Sequence, residues 1–177
     1  MSTKNVMIGR PAADEHAQFY AKYVTRVPDG DLVHQLREQS TETAALLRSV
    51  PADRADFAYE PGKWTVKEVI GHMADVERVM AYRAVRFARN DKTELPGFDE
   101  NLWAANANFG RRAIGDLIDE LEVVRSATIQ FAKNLSVEEQ LRRGMANGQE
   151  VSVRALMYII AGHERHHVAL LRDRYLS

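Results

Sequence analysis

The chain has 177 residues, 45% of them hydrophobic and 28% charged, which is ordinary for a globular protein and long enough to bury a substantial core. A formal net charge of -1 excludes the overall basic field that draws a protein to nucleic acid or anionic lipid. The absence of cysteine excludes disulfides, thiolate metal ligands and a cysteine nucleophile, leaving His, Asp and Glu as the strong ligand types.

The opening residues, MSTKNVMIGRPAADEH, hold no apolar stretch of signal-peptide length. No window approaches the roughly 18 apolar residues of a membrane span, so a cytoplasmic protein is expected. Residues 1–28 are expected to form an N-terminal extension, with a short helix around EHAQFYAKYV packed on the outside of one 1–177 domain. The first long helix lies in DLVHQLREQSTETAALLRSV, where Leu32, Leu36, Thr43, Leu47 and Val50 share a face.

After PADRADFAYEPGK a second long helix opens at WTVKEVIGHMADVERVMAYRAVRFAR. Thr65 and Glu68 form its capping box, and Val66, Val69, Ile70, Met73, Val76 and Met80 supply the apolar face. The segment NDKTELPGFDENLWAANANFG reads as a connection long enough to cover one end of a bundle, with Phe98 and Trp103 as apolar lining. Ile114, Leu117, Leu121, Val124, Thr128, Phe131 and Leu135 follow the helical spacing and give the third long helix. LSVEEQLRRGMANGQE reads as a link with a short helix capped by Ser136 and Glu139. Val153, Leu156, Ile160, His163, His167 and Leu170 then form the seam of the last helix. No segment alternates with period two between turn residues, so strands are not expected. The predicted fold is all-α, a four-helix bundle with long inter-helix connections and a short extra N-terminal segment.

AGHERHHVAL holds three of the six histidines within five residues of the last helix. His163 and His167 lie one turn apart on the same face, the geometry by which two imidazoles converge on one ion. His166 is displaced to the flank. His72 holds an inward position on the second long helix, on the line of Val69, Val76 and Val79. His34 is an alternative ligand beside the Leu32–Leu36 line, and His16 lies in the N-terminal segment. Gly71 and Gly162 precede His72 and His163 and would let helices approach closely. Core histidines with hydrogen-bond partners are the competing explanation. Few Ser, Thr or Asn residues stand on these seams to serve three buried imidazoles, whereas a shared metal would serve all of them.

The segments KWTVKEVIGHMADVERVMAYRAVRFARND, LPGFDENLW and RALMYIIAGHERHHVALL together resemble the DinB-like superfamily of four-helix bundle proteins, in its bacillithiol transferase-like and metal-dependent hydrolase-like subgroup. The similarity runs from about Tyr20 to the C-terminus. The diagnostic pattern is one His on the second long helix and an H-x-x-x-H pair on the last, matched by His72, His163 and His167. The resemblance implies a divalent ion, often zinc or nickel, and commonly a homodimer. It implies a small-molecule substrate rather than nucleic acid or membrane, and in characterised relatives a low-molecular-weight thiol is the cosubstrate.

Three imidazoles leave an ion open positions, as in catalytic rather than structural sites. A metal-dependent thiol S-transferase, a metal-dependent hydrolase and a non-catalytic metal-binding bundle all remain open, with thiol transfer favoured by the resemblance. Asp75, Glu77 and Glu164 are expected to be solvated, with Glu77 and Arg78 as a surface pair. Arg83 continues the line of His72 and would reach a pocket mouth or form a structural salt bridge. Trp64 is expected to be a packing anchor.

Overall fold

The computed structural model describes residues 7–176. Two single turns, Ala13–Glu15 and Gln18–Tyr20, lead into a short helix α1 (Ala21–Val24). The first long helix, α2 (Leu32–Arg48), starts at Asp31, whose carboxylate accepts from the amides of Val33 (2.9 Å) and His34 (3.3 Å). The capping box of Thr65 and Glu68 opens α3 (Val66–Ala88). Helix α4 (Glu100–Asn106) lies inside the connection, capped by Asp99. Next come α5 (Ile114–Ala132) and α6 (Val137–Leu141), the latter with the Ser136–Glu139 box in place. The final helix, α7 (Val153–Leu170), runs into a wider turn at Leu171–Tyr175.

The helical expectation therefore holds for all four long elements, with one addition. Strands β1 (Arg143–Ala146) and β2 (Gln149–Ser152) form an antiparallel hairpin, with Gly144 opposite Val151 and Ala146 opposite Gln149. Its turn is Asn147–Gly148, both in the left-handed region (φ 53° and 68°), the backbone a two-residue hairpin demands. The hairpin also seizes the long connection. The Leu95 amide donates to Met145 O and the Asn147 amide donates to Leu95 O, both at 2.9 Å. Gly97 can pass only because it lacks a Cβ, which would overlap the Asn147 side chain.

Packing order around the bundle differs from chain order. Helix α3 packs on α5 and α7, and α2 packs mainly on α5, so α2 and α3 are not principal partners. The 49–65 connection accordingly crosses from one corner to another, with Phe57, Tyr59 and Trp64 packed against the core below it. Two apolar clusters fill the interior, one around Leu36, Phe87, Leu156 and Ile160, the other around Leu47, Ile70, Leu117 and Leu171.

The N-terminal segment is built in more deeply than an outer extension. Ile8, Tyr23, Val24 and Val27 are buried, and α1 packs on α7. Glu15 accepts from Arg154 Nε (2.7 Å), Ser152 Oγ (2.7 Å) and the Ala12 amide (2.8 Å), fastening the segment to the start of α7. Of the two glycines beside inward histidines, neither sits where α3 meets α7. A Cβ on Gly162 would overlap the Tyr23 backbone carbonyl, and one on Gly71 would overlap the Phe109 ring.

Charged residues expected in solvent lie at the bundle centre instead. Arg125, 1% exposed, donates from Nε and Nη2 to the two Glu77 oxygens at 2.9 Å each, and also to Glu164. Thr43 donates to the other Glu164 oxygen, and Leu36 O lies 3.5 Å from Arg125 Nη1. All four long helices meet in this network. Glu77 and Arg78 are therefore not a surface pair; Arg78 turns outward to Asp75 (3.1 Å) and Glu120.

Candidate metal centre

The first wall of the candidate site is α3, which carries His72 inward between Val69 and Val76; Val79, further along the expected line, is half-buried. The second wall is α7, whose i, i+4 spacing aims His163 and His167 at the same point. All three rings are buried, 6–8% exposed. His163 Nε2 lies 3.1 Å from His72 Nε2 and 3.1 Å from His167 Nε2, and the three candidate donor atoms fall within 4.8 Å of one another.

Neutral imidazoles turned nitrogen to nitrogen cannot satisfy one another. His163 Nε2 faces two nitrogens and has at most one proton to share, while His167 Nδ1 is buried with no hydrogen-bond partner among the described residues. A common cation would take a lone pair from each ring, so the donor set fits a divalent ion of the borderline-soft kind. Burial, with the nearby His166, holds the His72 pKa down at about 4. Burial, reinforced by neighbouring histidines, pushes His163 and His167 in the same direction. All three rings are therefore neutral at pH 7, the state a ligand needs.

The other histidines separate cleanly. His166 is half-buried on the flank, 5.7 Å ring to ring from Tyr23 and 5.0 Å from His167, and outside the three-nitrogen group. His34 is exposed and bonds to Glu38 at 3.1 Å, and His16 contacts Ala17 O at 3.0 Å.

Beside the three rings opens a cavity of about 430 Å³. Trp64 is both anchor and wall: its carbonyl accepts from Tyr175 Oη at 2.8 Å, and its indole lies 4.4 Å from the His72 ring. Tyr23 sets its edge against His163 at 5.3 Å. The connection contributes Gly97, Phe98 and Glu100 to the lining, while Trp103 stacks on the Phe98 ring at 4.7 Å. Arg83 lines the cavity and forms no salt bridge among the described residues.

Sequence reasoning missed the far wall, formed by Ala146, Asn147 and Gln149 of the hairpin, and the aromatic edge of Phe19, Tyr20 and Tyr23. The Asn-Gly dipeptide was the available signal for the first. The second had none, because it depends on how α1 seats on Gly162.

The chain is a four-helix bundle with a three-histidine group open to a cavity. The family model of the DinB superfamily matches residues 35–171, and the chain belongs to that family. A protein of Oceanobacillus iheyensis named "Putative metal-dependent hydrolase" is 27% identical over 149 residues, covering 80% of this chain and 84% of the relative. Among solved structures, YfiT from Bacillus subtilis, described as having "an unusual four-helix bundle topology", superposes with a TM-score of 0.71 at 17% identity, over 80% of this chain and 82% of its own. The DinB-like protein YjoA from the same species gives 0.59 at 17% identity, over 81% and 87%. Among the described residues no helix is long and apolar enough to cross a membrane.

Proposed function

We propose that this chain is a metal-dependent enzyme in which His72, His163 and His167 hold one divalent ion, zinc or nickel, beside a pocket for a small molecule. The observation that carries this reading is the convergence of three buried Nε2 atoms, linked by 3.1 Å contacts, on the wall of a 430 Å³ cavity. A divalent ion there supplies Lewis acidity and lowers the pKa of a small nucleophile, thiol or water. The chain's own residues do the rest. The neutral imidazoles offer lone pairs, Trp64 and Tyr23 fix the rings of His72 and His163 from behind, and Val76, Met80 and Ile159 keep the inner wall dry.

We favour transfer of an external thiol to an electrophile. The cavity is far larger than a hydrolytic water requires, and a cysteine-free chain must take its sulfur from a cosubstrate. Hydrolysis is the second reading, supported by the name of the Oceanobacillus relative. A homodimer of single-domain protomers in the cytoplasm completes the proposal.

The test is metal analysis of protein prepared without added metal or a histidine tag, followed by turnover assays. An electrophile such as monochlorobimane would be supplied with and without low-molecular-weight thiols, in parallel with ester and amide substrates. Thiol-dependent, chelator-sensitive conjugation supports the first reading, and chelator-sensitive hydrolysis without thiol supports the second. Protein that takes up no divalent ion defeats both.

A further inference from the structure

Arg83 stands three turns beyond His72 on α3 and faces the same cavity. It is only 3% exposed. A guanidinium carries five N–H donors and cannot shed its charge, so burial normally comes with a carboxylate. Here the protein supplies none among the described residues. Nη2 donates to Pro96 O at 2.8 Å, and Nη1 meets the weak acceptor Met80 Sδ at 3.7 Å. The Phe98 ring lies 5.8 Å from the guanidinium carbon. Asp91 pairs with Arg86 and Glu77 with Arg125, and Glu100, the carboxylate of the cavity lining, forms no ion pair with Arg83 among the described residues. The contrast with Arg125, which buries its charge between two carboxylates in the same bundle, is direct.

We propose that Arg83 is the anion-recognition residue of this pocket and that the substrate is a small organic acid, its carboxylate on Arg83 and its reacting end toward the three histidines. This assignment rests on the cavity being the substrate pocket. The remaining lining narrows the class. Phe19, Tyr20, Trp64 and Phe98 give an aromatic surround suited to an apolar body. Glu100 is the only carboxylate among the lining residues and Arg83 the only Lys or Arg, so away from the three histidines a doubly charged phosphate would meet a single cation. A planar monoanion matches one guanidinium fork. A purely structural Arg83, tying Pro96 O to α3, would leave the pocket indifferent to ligand charge.

The experiment compares binding of phenylacetate, 3-phenylpropionate and 4-phenylbutyrate with their primary amides, by calorimetry and Trp fluorescence, on metal-loaded and chelator-treated protein. The wild type is expected to prefer each bound acid over its amide by roughly tenfold or more, as a charge-assisted pair with a buried guanidinium should give. Arg83→Met should abolish the preference, weakening the acids far more than the amides, with metal content kept, and Arg83→Lys should keep part of the preference. If Arg83→Met does not fold by circular dichroism, Arg83→Gln and Arg83→Lys carry the comparison. Because the chelated protein keeps Arg83, a preference surviving there supports the proposal even if no ion binds. Equal affinity for acid and amide, no acid binding up to about 10 mM, or a preference that persists in Arg83→Met or Arg83→Gln and vanishes only with chelator, would overturn it.

Discussion

Arg125 of α5 and Glu77 of α3 face each other across two parallel hydrogen bonds of 2.9 Å in the centre of the bundle. Burial alone would drive the guanidinium toward its neutral form, but Glu77 and Glu164 reverse this and raise its pKa above the usual range. The charges are paired, so the cost of burying them is met by geometry rather than by water.

Removing one member should therefore hurt more than its exposure suggests. Arg125→Met strands two buried carboxylates and should cost about 3–5 kcal/mol, whereas Arg78→Met on the surface should cost under about 1 kcal/mol. Urea unfolding followed by circular dichroism measures both. Equal losses in the two variants would mean that the central network is not what joins the helices.

Metal content separates the histidines. Substituting Ala for His72, His163 or His167 should each cut divalent-ion content sharply, while His166→Ala and His34→Ala should leave it near the wild-type value. Elemental analysis after dialysis reads this directly. An ion lost with His166 and kept without His167 would show that the three-nitrogen group of α3 and α7 is not the binding site.

Backbone approach can be tested at two glycines. Gly162→Ala places a methyl on the Tyr23 carbonyl and should cost about 1–3 kcal/mol while loosening the aromatic edge of the cavity. At Gly115, near the start of α5, an added Cβ would meet nothing within 4 Å, and Gly115→Ala should gain about 0.4–1 kcal/mol. Chemical denaturation of both variants would expose an error if Gly162→Ala proved neutral.

Acid should act on the metal-free protein in two stages. The His72 pKa is about 4 when folded against 6.5 ordinarily, so between those values the unfolded chain binds protons that the native chain refuses. The stability it contributes is complete above pH 6.5 and drains as pH falls toward 4; His163 and His167 act in the same direction. Burial would raise Glu15, but Arg154, Ser152 and the Ala12 amide hold it at about 2 against 4.5. Its contribution is present above pH 4.5 and lost as pH falls toward 2. Melting temperature against pH should show both windows, and Glu15→Gln should shrink the lower one, to which Asp14, Asp91, Glu120 and Glu139 also contribute, without touching the upper. A lower window unchanged in that variant would contradict the assignment.

The long helices were legible because their apolar residues recur at helical spacing, and Thr65–Glu68 announces the start of α3 as Ser136–Glu139 announces that of the short α6. His72, His163 and His167 were legible for the same reason, since each stands where the seam asks for an apolar residue. The central charges were not. Arg125 falls four residues after Leu121 and three before Thr128, on the buried side of α5, yet one sequence cannot say that Glu77 and Glu164 arrive opposite it from two other helices. The only signal for the hairpin is Asn147–Gly148, because strands of four residues with burial patterns broken by exposed positions carry too short an alternation to read. The seat of Tyr23 on Gly162 joins residues 139 positions apart, and no local pattern encodes it.

The order of helices around the bundle bears on how the chain reaches this structure. Helices adjacent in sequence commonly dock as a hairpin within microseconds to milliseconds, because the loop to be closed is short. Here α2 must wait for α5, and α3 completes its packing only with α7, so of the neighbouring long helices only α3 and α5 can dock early as a pair. The chain should refold more slowly than an all-helical protein of its size ordinarily does. A ribosome-bound nascent chain ending before α7 would expose the inward faces of α1 and α3, making the last helix the element on which commitment to the native state depends.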